Sequence, residues 1–207
     1  MVCSALSSVS DSLERLAGKA SSGGDFSAEL EGICQRHREA AGDMGLDADT
    51  EIGDLLADLG RLSHGASLIQ EVSPRLWARL LSAGELLSTR LGAAWLRTQG
   101  LPVNWMDARE LLVAEPADGA RSYLSASCDY GADAALQAKL AAEEGLVVTQ
   151  GFIARNPSGE TVLLGRGGSD TSASYFAAKL GAERLEIVRA ASSSLGLERP
   201  GVVAEDP

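Results

Sequence analysis

A chain of 207 residues, 45% hydrophobic and 23% charged, is long enough to bury one sizeable core. Its 29 acidic residues against 18 basic ones give a formal charge of −11. No block of Lys and Arg occurs, which argues against nucleic acid as a partner, because polyanion binding needs clustered cations. No apolar run approaches the roughly 20 residues of a membrane helix, and nothing near Met1 reads as a secretory signal.

Cys3, Cys34 and Cys128 are far apart and form no CxxC pair, the pattern of a reduced cytoplasmic protein with buried thiols. Cys34 and His37 fall three apart on an expected helix and could share a metal. No further ligands accompany them, so packing is the preferred reading and no metal site is expected.

In chain order, Val2 to Leu6 is a short apolar run suited to a buried strand. The Ser7–Asp11 segment then offers caps for a helix carrying Leu13 and Leu16. After the break at 21–24, Phe26, Leu30, Ile33, His37 and Ala41 recur at helical spacing behind Asp25 and Ser27. Ile52, Leu55, Leu56, Leu59 and Leu62 predict a second amphipathic helix. A third starts at the cap Ser73 with Pro74 in the tolerated first position; it carries Leu76, Leu80, Leu87, Leu91 and Trp95 and ends by Gly100. Trp77 and Trp95 are expected in the core.

Val103–Met106 predicts a strand, 133–144 a helix stopped by Gly145, and Leu146–Ile153 a further strand. Asn156-Pro157-Ser158-Gly159 makes a turn, and Thr161–Leu164 a returning strand. Residues 165–170 form a glycine-rich loop before an Ala-rich helix ending near Gly181, and Leu185–Val188 suggests one more strand. Strands separated by helices indicate an α/β layered domain with a mainly parallel sheet. Residues 189–207 read as a loose tail.

The strongest chemical signal is Leu164-Gly165-Arg166-Gly167-Gly168-Ser169-Asp170-Thr171, between a strand and a helix. Its glycines let backbone approach a ligand, and N–H groups at the helix start can face an anion. Arg166 adds a planar donor fork for a carboxylate or phosphate, and Asp170 could cap the helix or grip an ammonium group. A plain tight turn, with Asp170 as cap and Arg166 in solvent, remains equally open. The loop is not a Walker A motif. Glu85, flanked by Ser82, Ala83, Gly84 and Ser88, either faces an approaching ligand or simply faces solvent. Ser10 either touches a ligand or caps a helix.

Together these segments resemble the aspartokinases of the amino-acid-kinase superfamily. Val2 to Asp11 is similar to the family's "VVSA…GVTD" segment, and Ser82 to Ser88 to its "S-x-G-E-x-x-S" helix. Thr149 to Ala154 resembles its "TQGFI" strand, and Leu164 to Ser172 its "LGRGGSDTS" loop. The resemblance implies a three-layer αβα fold around a mainly parallel sheet, incomplete at both ends. It makes residues 1–188 a partial catalytic domain and 189–207 a divergent, disordered tail. It puts Ser10, Glu85, Arg166, Gly167, Gly168, Ser169 and Asp170 at an L-aspartate site, with Arg166 and Asp170 in catalytic roles.

The implied reaction transfers the γ-phosphate of ATP, accompanied by Mg2+, to the β-carboxylate of aspartate, with no permanently bound cofactor. That carboxylate is ionised at neutral pH, so positioning and charge neutralisation dominate over proton transfer. The expected setting is cytoplasmic, with a homo-oligomer or a fused or partner chain supplying further segments. The family's "KFGGTS" strand with its lysine, and the "TDV-x-G" and "DPR" segments that help hold nucleotide, have no counterpart here. The expectation is therefore a truncated or frameshifted reading frame or one part of a split gene. The alternative function is a catalytically dead fragment that keeps part of the aspartate site.

Overall fold

The computed structural model describes residues 1–165 and 168–188. The expected tail from residue 189 onward lies outside them, as do Arg166 and Gly167.

The first half is mostly helical. After β1 (Val2–Cys3) come α1 (Val9–Ser21), α2 (Ser27–Asp43), α3 (Ala48–Ile69) and α4 (Pro74–Thr98). Local chemistry sets their starts. Asp25 accepts the Ser27 N–H at 2.9 Å ahead of α2. Asp47 caps α3 through the Asp49 N–H at 3.2 Å, and Ser73 caps α4 through the Leu76 N–H at 3.3 Å, with Pro74 first in the helix. Leu13, Leu16, Ile33, Ile52, Leu59, Leu80, Leu87 and Leu91 are fully buried where these helices meet. Burying each contributes about 1.5–3 kcal/mol, so the bundle is the main hydrophobic anchor of the molecule.

The second half supplies the rest of the sheet. It runs β2 (Val103–Trp105), α5 (Ala108–Leu111), α6 (Arg121–Leu124), α7 (Ala134–Ala141), β3 (Leu146–Gln150), β4 (Ile153–Arg155), β5 (Thr161–Leu163) and α8 (Gly168–Leu180). A parallel sheet has the order β1-β3-β2, with Val2 opposite Thr149 and Trp105 opposite Val148. Side chains alternate across it. Val2 packs against the cluster that includes Leu136 of α7 and Tyr175 and Phe176 of α8, whereas Cys3 packs against the cluster of Ala93 of α4 with Val103 and Val148. Helices therefore cover both faces, as the expected three-layer α/β arrangement requires. β4 and β5 form a separate antiparallel hairpin.

Several expectations are corrected. The strand at Val2–Leu6 stops at Cys3, because the Ser4 carbonyl turns to accept the Ser88 hydroxyl at 2.8 Å and the Leu6 carbonyl accepts the Val9 N–H at 3.1 Å. Leu146–Ile153 is two strands, broken at Gly151-Phe152, where Phe152 takes the left-handed φ of 66°. Gly168, Ser169 and Asp170 belong to α8 and not to a loop. Trp95 is 39% exposed and is no core residue. Leu185–Val188 is not a strand; with no neighbouring strand to pair its backbone among the described residues, Leu185 and Ile187 stand 41% and Val188 83% exposed. The short helices α5 and α6 were not expected.

His37 is fully buried on α2, with its Nδ1–H donating to the Ile33 carbonyl at 2.8 Å and its Nε2 unpartnered among the described residues. Burial pushes its pKa down. The fold therefore binds fewer protons here than the unfolded chain, and this contribution to stability is lost as pH falls below about 6.5. In urea titrations, a His37→Leu variant is expected to gain on the wild type as pH drops from 7 to 5, while the two stay close at pH 8.

Candidate active site

Open α/β sheets bind ligands beyond the carboxyl ends of their strands. Here those ends are Cys3 of β1 and Gln150 of β3, and a cleft of about 400 Å³ lies past them. Its walls are the Ser4–Ser8 loop, Ser10 and Glu14 of α1, Leu81 and Glu85 of α4, Phe152, and Gly168 and Ser169 of α8. The predicted residues Ser10, Glu85, Gly168 and Ser169 thus meet in one place. Asp170 sits half-buried in the first turn of α8, where an acidic side chain complements the helix dipole, and is not among the lining residues.

Ser10 is exposed in the first turn of α1 and is not its cap. The cap position belongs to Ser8, in the left-handed conformation with φ 66° and with no side-chain bond to the helix. The Ser10 hydroxyl is left at the cleft rim, which resolves the open alternative against capping.

Glu85 resolves the opposite way from its solvent-facing alternative. It is 4% exposed, and its Oε2 has no hydrogen-bond partner among the described residues. Burial pushes its pKa up to about 7, even though the N–H groups of Glu85 itself and of Ala5 favour the ionised form. A buried carboxyl at the side of a cleft, with one oxygen lacking a partner among the described residues, is the arrangement expected where a cationic ligand group completes the site. Helix α4 comes this close to α1 because residue 84 is glycine. A Cβ there would stand 3.0 Å from the Ala5 Cβ and 3.2 Å from Leu13 Cδ1.

The opposite wall depends on Gly151 and Phe152. A Cβ on Gly151 would lie 2.6 Å from the Cα of Ser169, so α8 starts directly against the end of β3. The Phe152 N–H donates to the Ser172 hydroxyl at 2.8 Å, which in turn donates to the Gly168 carbonyl at 2.6 Å. The Phe152 ring lies against Gly168. Ser172, which ties Phe152 to the start of α8, carried no assigned role in the sequence reading.

A larger, open hollow of about 480 Å³ is lined by Asp107, Arg109, Glu110, Arg155, Gly159 and Thr161. Its Arg109 is already held by Asp107, at 2.5 Å from Nη2, and by the Thr161 hydroxyl at 3.1 Å. The smaller cleft, which gathers four of the expected site residues, is the candidate site.

An α/β layered core with a cleft past its parallel strands is a ligand-binding architecture shared by many enzymes. The chain belongs to the amino acid kinase family, whose model matches residues 2–191. It is 43% identical over 143 residues to the bifunctional aspartokinase/homoserine dehydrogenase 2 of Escherichia coli, a match covering 68% of this chain and 17% of that protein. It is 37% identical over 158 residues to the lysine-sensitive aspartokinase 3 of E. coli, covering 76% of this chain and 32% of that one. The chain thus spans a third or less of these relatives' length. Among solved structures, E. coli aspartokinase III in complex with aspartate and ADP superposes with a TM-score of 0.66 at 31% identity, over 88% of this chain and 40% of that one. The same enzyme in complex with lysine and aspartate gives 0.68 at 31% identity, over the same 88% and 40%.

Proposed function

We propose that this chain carries the aspartate-recognising part of an aspartate kinase, which transfers the γ-phosphate of ATP to the β-carboxylate of L-aspartate to give 4-phospho-L-aspartate. This is the first step of lysine, threonine and methionine biosynthesis. The observation that supports the reading is the buried Glu85 carboxyl, whose Oε2 has no partner among the described residues, at the wall of a cleft that also gathers Ser10, Gly168 and Ser169. The likeness to aspartokinases, one of them solved with aspartate and ADP, supports the choice of substrate.

In this reading Glu85 faces the ammonium group of aspartate, and Ser10 and Ser169 hydrogen-bond it from the rim. Arg166, which the resemblance puts at the same site, clamps a carboxylate. Substrate aspartate arrives as an anion, so no general base is needed and orientation supplies most of the acceleration. Magnesium enters with ATP as part of the substrate. We place the reaction in the cytoplasm, in keeping with three free thiols, and in a larger catalytic unit that is a homo-oligomer or includes a fused or partner chain.

A second reading, a fragment that binds aspartate without turnover, is favoured by one observation. The described residues lining the cleft carry the carboxylates Glu14 and Glu85 and no cation to neutralise a phosphate.

Trapping the acyl phosphate with hydroxylamine tests both. Incubated with ATP, Mg2+ and L-aspartate, the 207-residue chain is expected to form hydroxamate, and Arg166→Ala to lower the rate about 100-fold. Aspartate binding without hydroxamate would establish the second reading. Absence of both hydroxamate and binding would overturn the first and the second together.

A further inference from the structure

Glu85 is reached from behind by a hydrogen-bonded hub. Thr89, one turn further along α4, is 1% exposed. Its hydroxyl donates to the Glu85 carbonyl at 2.7 Å and accepts from the Gln150 side-chain Nε2 at 2.9 Å and from the indole Nε1 of Trp105 at 3.0 Å. A hydroxyl offers one donor and two acceptor sites, so the Thr89 oxygen is saturated. Gln150 is itself fixed in orientation, because its Oε1 must face the Ala108 N–H, 2.7 Å away. The adjacent Ser88 hydroxyl gives a second tie, 2.8 Å from the Ser4 carbonyl and 3.2 Å from that of Glu85.

These bonds do little for α4 on its own account. The Glu85 carbonyl lies mid-helix, and a threonine hydroxyl that bonds back to residue i−4 weakens and bends a helix slightly. What the hub achieves lies between elements. It ties the turn carrying Glu85 to the carboxyl ends of β3 and β2 through Gln150 and Trp105, and to the end of β1 through Ser4. The same strand ends lead into Ala5, whose N–H reaches the Glu85 carboxyl, and into Phe152, which walls the cleft.

We propose that Thr89, held by Gln150 and Trp105, is a positioning residue that sets the depth at which the Glu85 carboxyl enters the cleft. The proposal rests on reading Glu85 as the contact for the aspartate ammonium group, and its test separates the two. Among the described residues, the charged side chain lining the cleft with Glu85 is Glu14 of α1; Arg166, which the proposed function puts at the same site, lies outside them. The lining residues of the Ser4–Ser8 loop, of α8 and at Phe152 are uncharged, as is Leu81 of α4. Among these described groups, a change in how Glu85 titrates reports its depth more than a rearranged set of charges.

Three variants of the full chain serve. Thr89→Val removes the hydroxyl and keeps the shape, Thr89→Ser restores it, and Trp105→Phe removes one donor while leaving the sequence of α4 unchanged. Two readouts are followed: the Glu85 carboxyl titration by 13C NMR in ligand-free protein, and L-aspartate affinity by calorimetry. Thr89→Val is expected to bring the Glu85 midpoint down by about one pH unit, as water reaches the loosened turn, and to weaken aspartate about 10-fold. Thr89→Ser should match the wild type in both, and Trp105→Phe should fall between; this last variant decides the matter if Thr89→Val does not fold. A lower melting temperature with an unchanged Glu85 midpoint would mean a purely structural hub and overturn the proposal. If the wild type binds no aspartate, the functional reading fails, while the ligand-free titration still decides whether Thr89 positions Glu85.

Discussion

Gly151→Ala is expected to cost roughly 3 kcal/mol and to lower the thermal midpoint by on the order of 10 °C. The new methyl group would lie 2.6 Å from the Cα of Ser169, which is backbone and cannot rotate aside. Either α8 backs away from the end of β3 or the Gly151-Phe152 turn opens. Both displace Ser169 and Phe152 from the cleft, so aspartate affinity should fall along with stability. Gly92→Ala on α4 is the matched control: its Cβ meets nothing within 4 Å, and alanine is the better helix former by about 1 kcal/mol. Thermal melts of the two variants should therefore move in opposite directions. Equal midpoints for Gly151→Ala and the wild type would show that the wall of the cleft is softer than this packing implies.

The second large effect belongs to Glu85→Gln, and it has two faces. Burial lifts the Glu85 pKa from 4.5 to about 7, so the folded protein holds its proton more tightly than the unfolded chain does. Stability from this group is complete below the unfolded value and is lost as pH rises toward 7. The loss approaches about 3 kcal/mol at pH 8, from 1.36 kcal/mol for each unit of displacement. Glutamine carries no such cost. The variant should match the wild type in urea denaturation at pH 4 and exceed it at pH 8. In the same protein L-aspartate should bind about 100-fold more weakly, because the ammonium group loses a buried charge partner. A variant that is firmer yet blind to its ligand would mark Glu85 as a residue kept for binding at the expense of stability. Unchanged aspartate affinity would remove Glu85 from the site.

Legibility in the sequence followed the range over which each feature is decided. The Ser73-Pro74 start and the leucine spacing of α4 are local, and α4 formed as expected. The glycine-rich segment after β5 and the isolated Glu85 stood out by composition, and the structure brings Glu85, Gly168 and Ser169 to one cleft. The break at Gly151-Phe152 was not readable, because Leu146–Ile153 is one uninterrupted strand-like run. What bends it is the Ser172 hydroxyl, 20 residues further on, taking the Phe152 N–H. Burial of Glu85 depends in the same way on a loop near residue 5, and no periodicity within α4 could announce it. Leu185–Val188 failed for the converse reason. Apolar residues suited to a strand still need a neighbour whose backbone they can pair, and the segment alone does not supply one.

The parallel register that sets Val2 beside Thr149 has a consequence for how the molecule comes into being. Helices α1 to α4 occupy one continuous stretch and can pack as they are made. The cleft joins residues 4–14 and 81–85 to residues 152, 168 and 169, and its floor needs β3 slotted between β1 and β2. Contacts separated by so much chain form late, since the entropy of closing the loop is lost before pairing repays it. A nascent chain halted near residue 145 would carry a helical bundle with Glu85 already on it and no cleft around it. The cleft is thus among the last features the chain completes, closed only when α8 has come down onto Gly151.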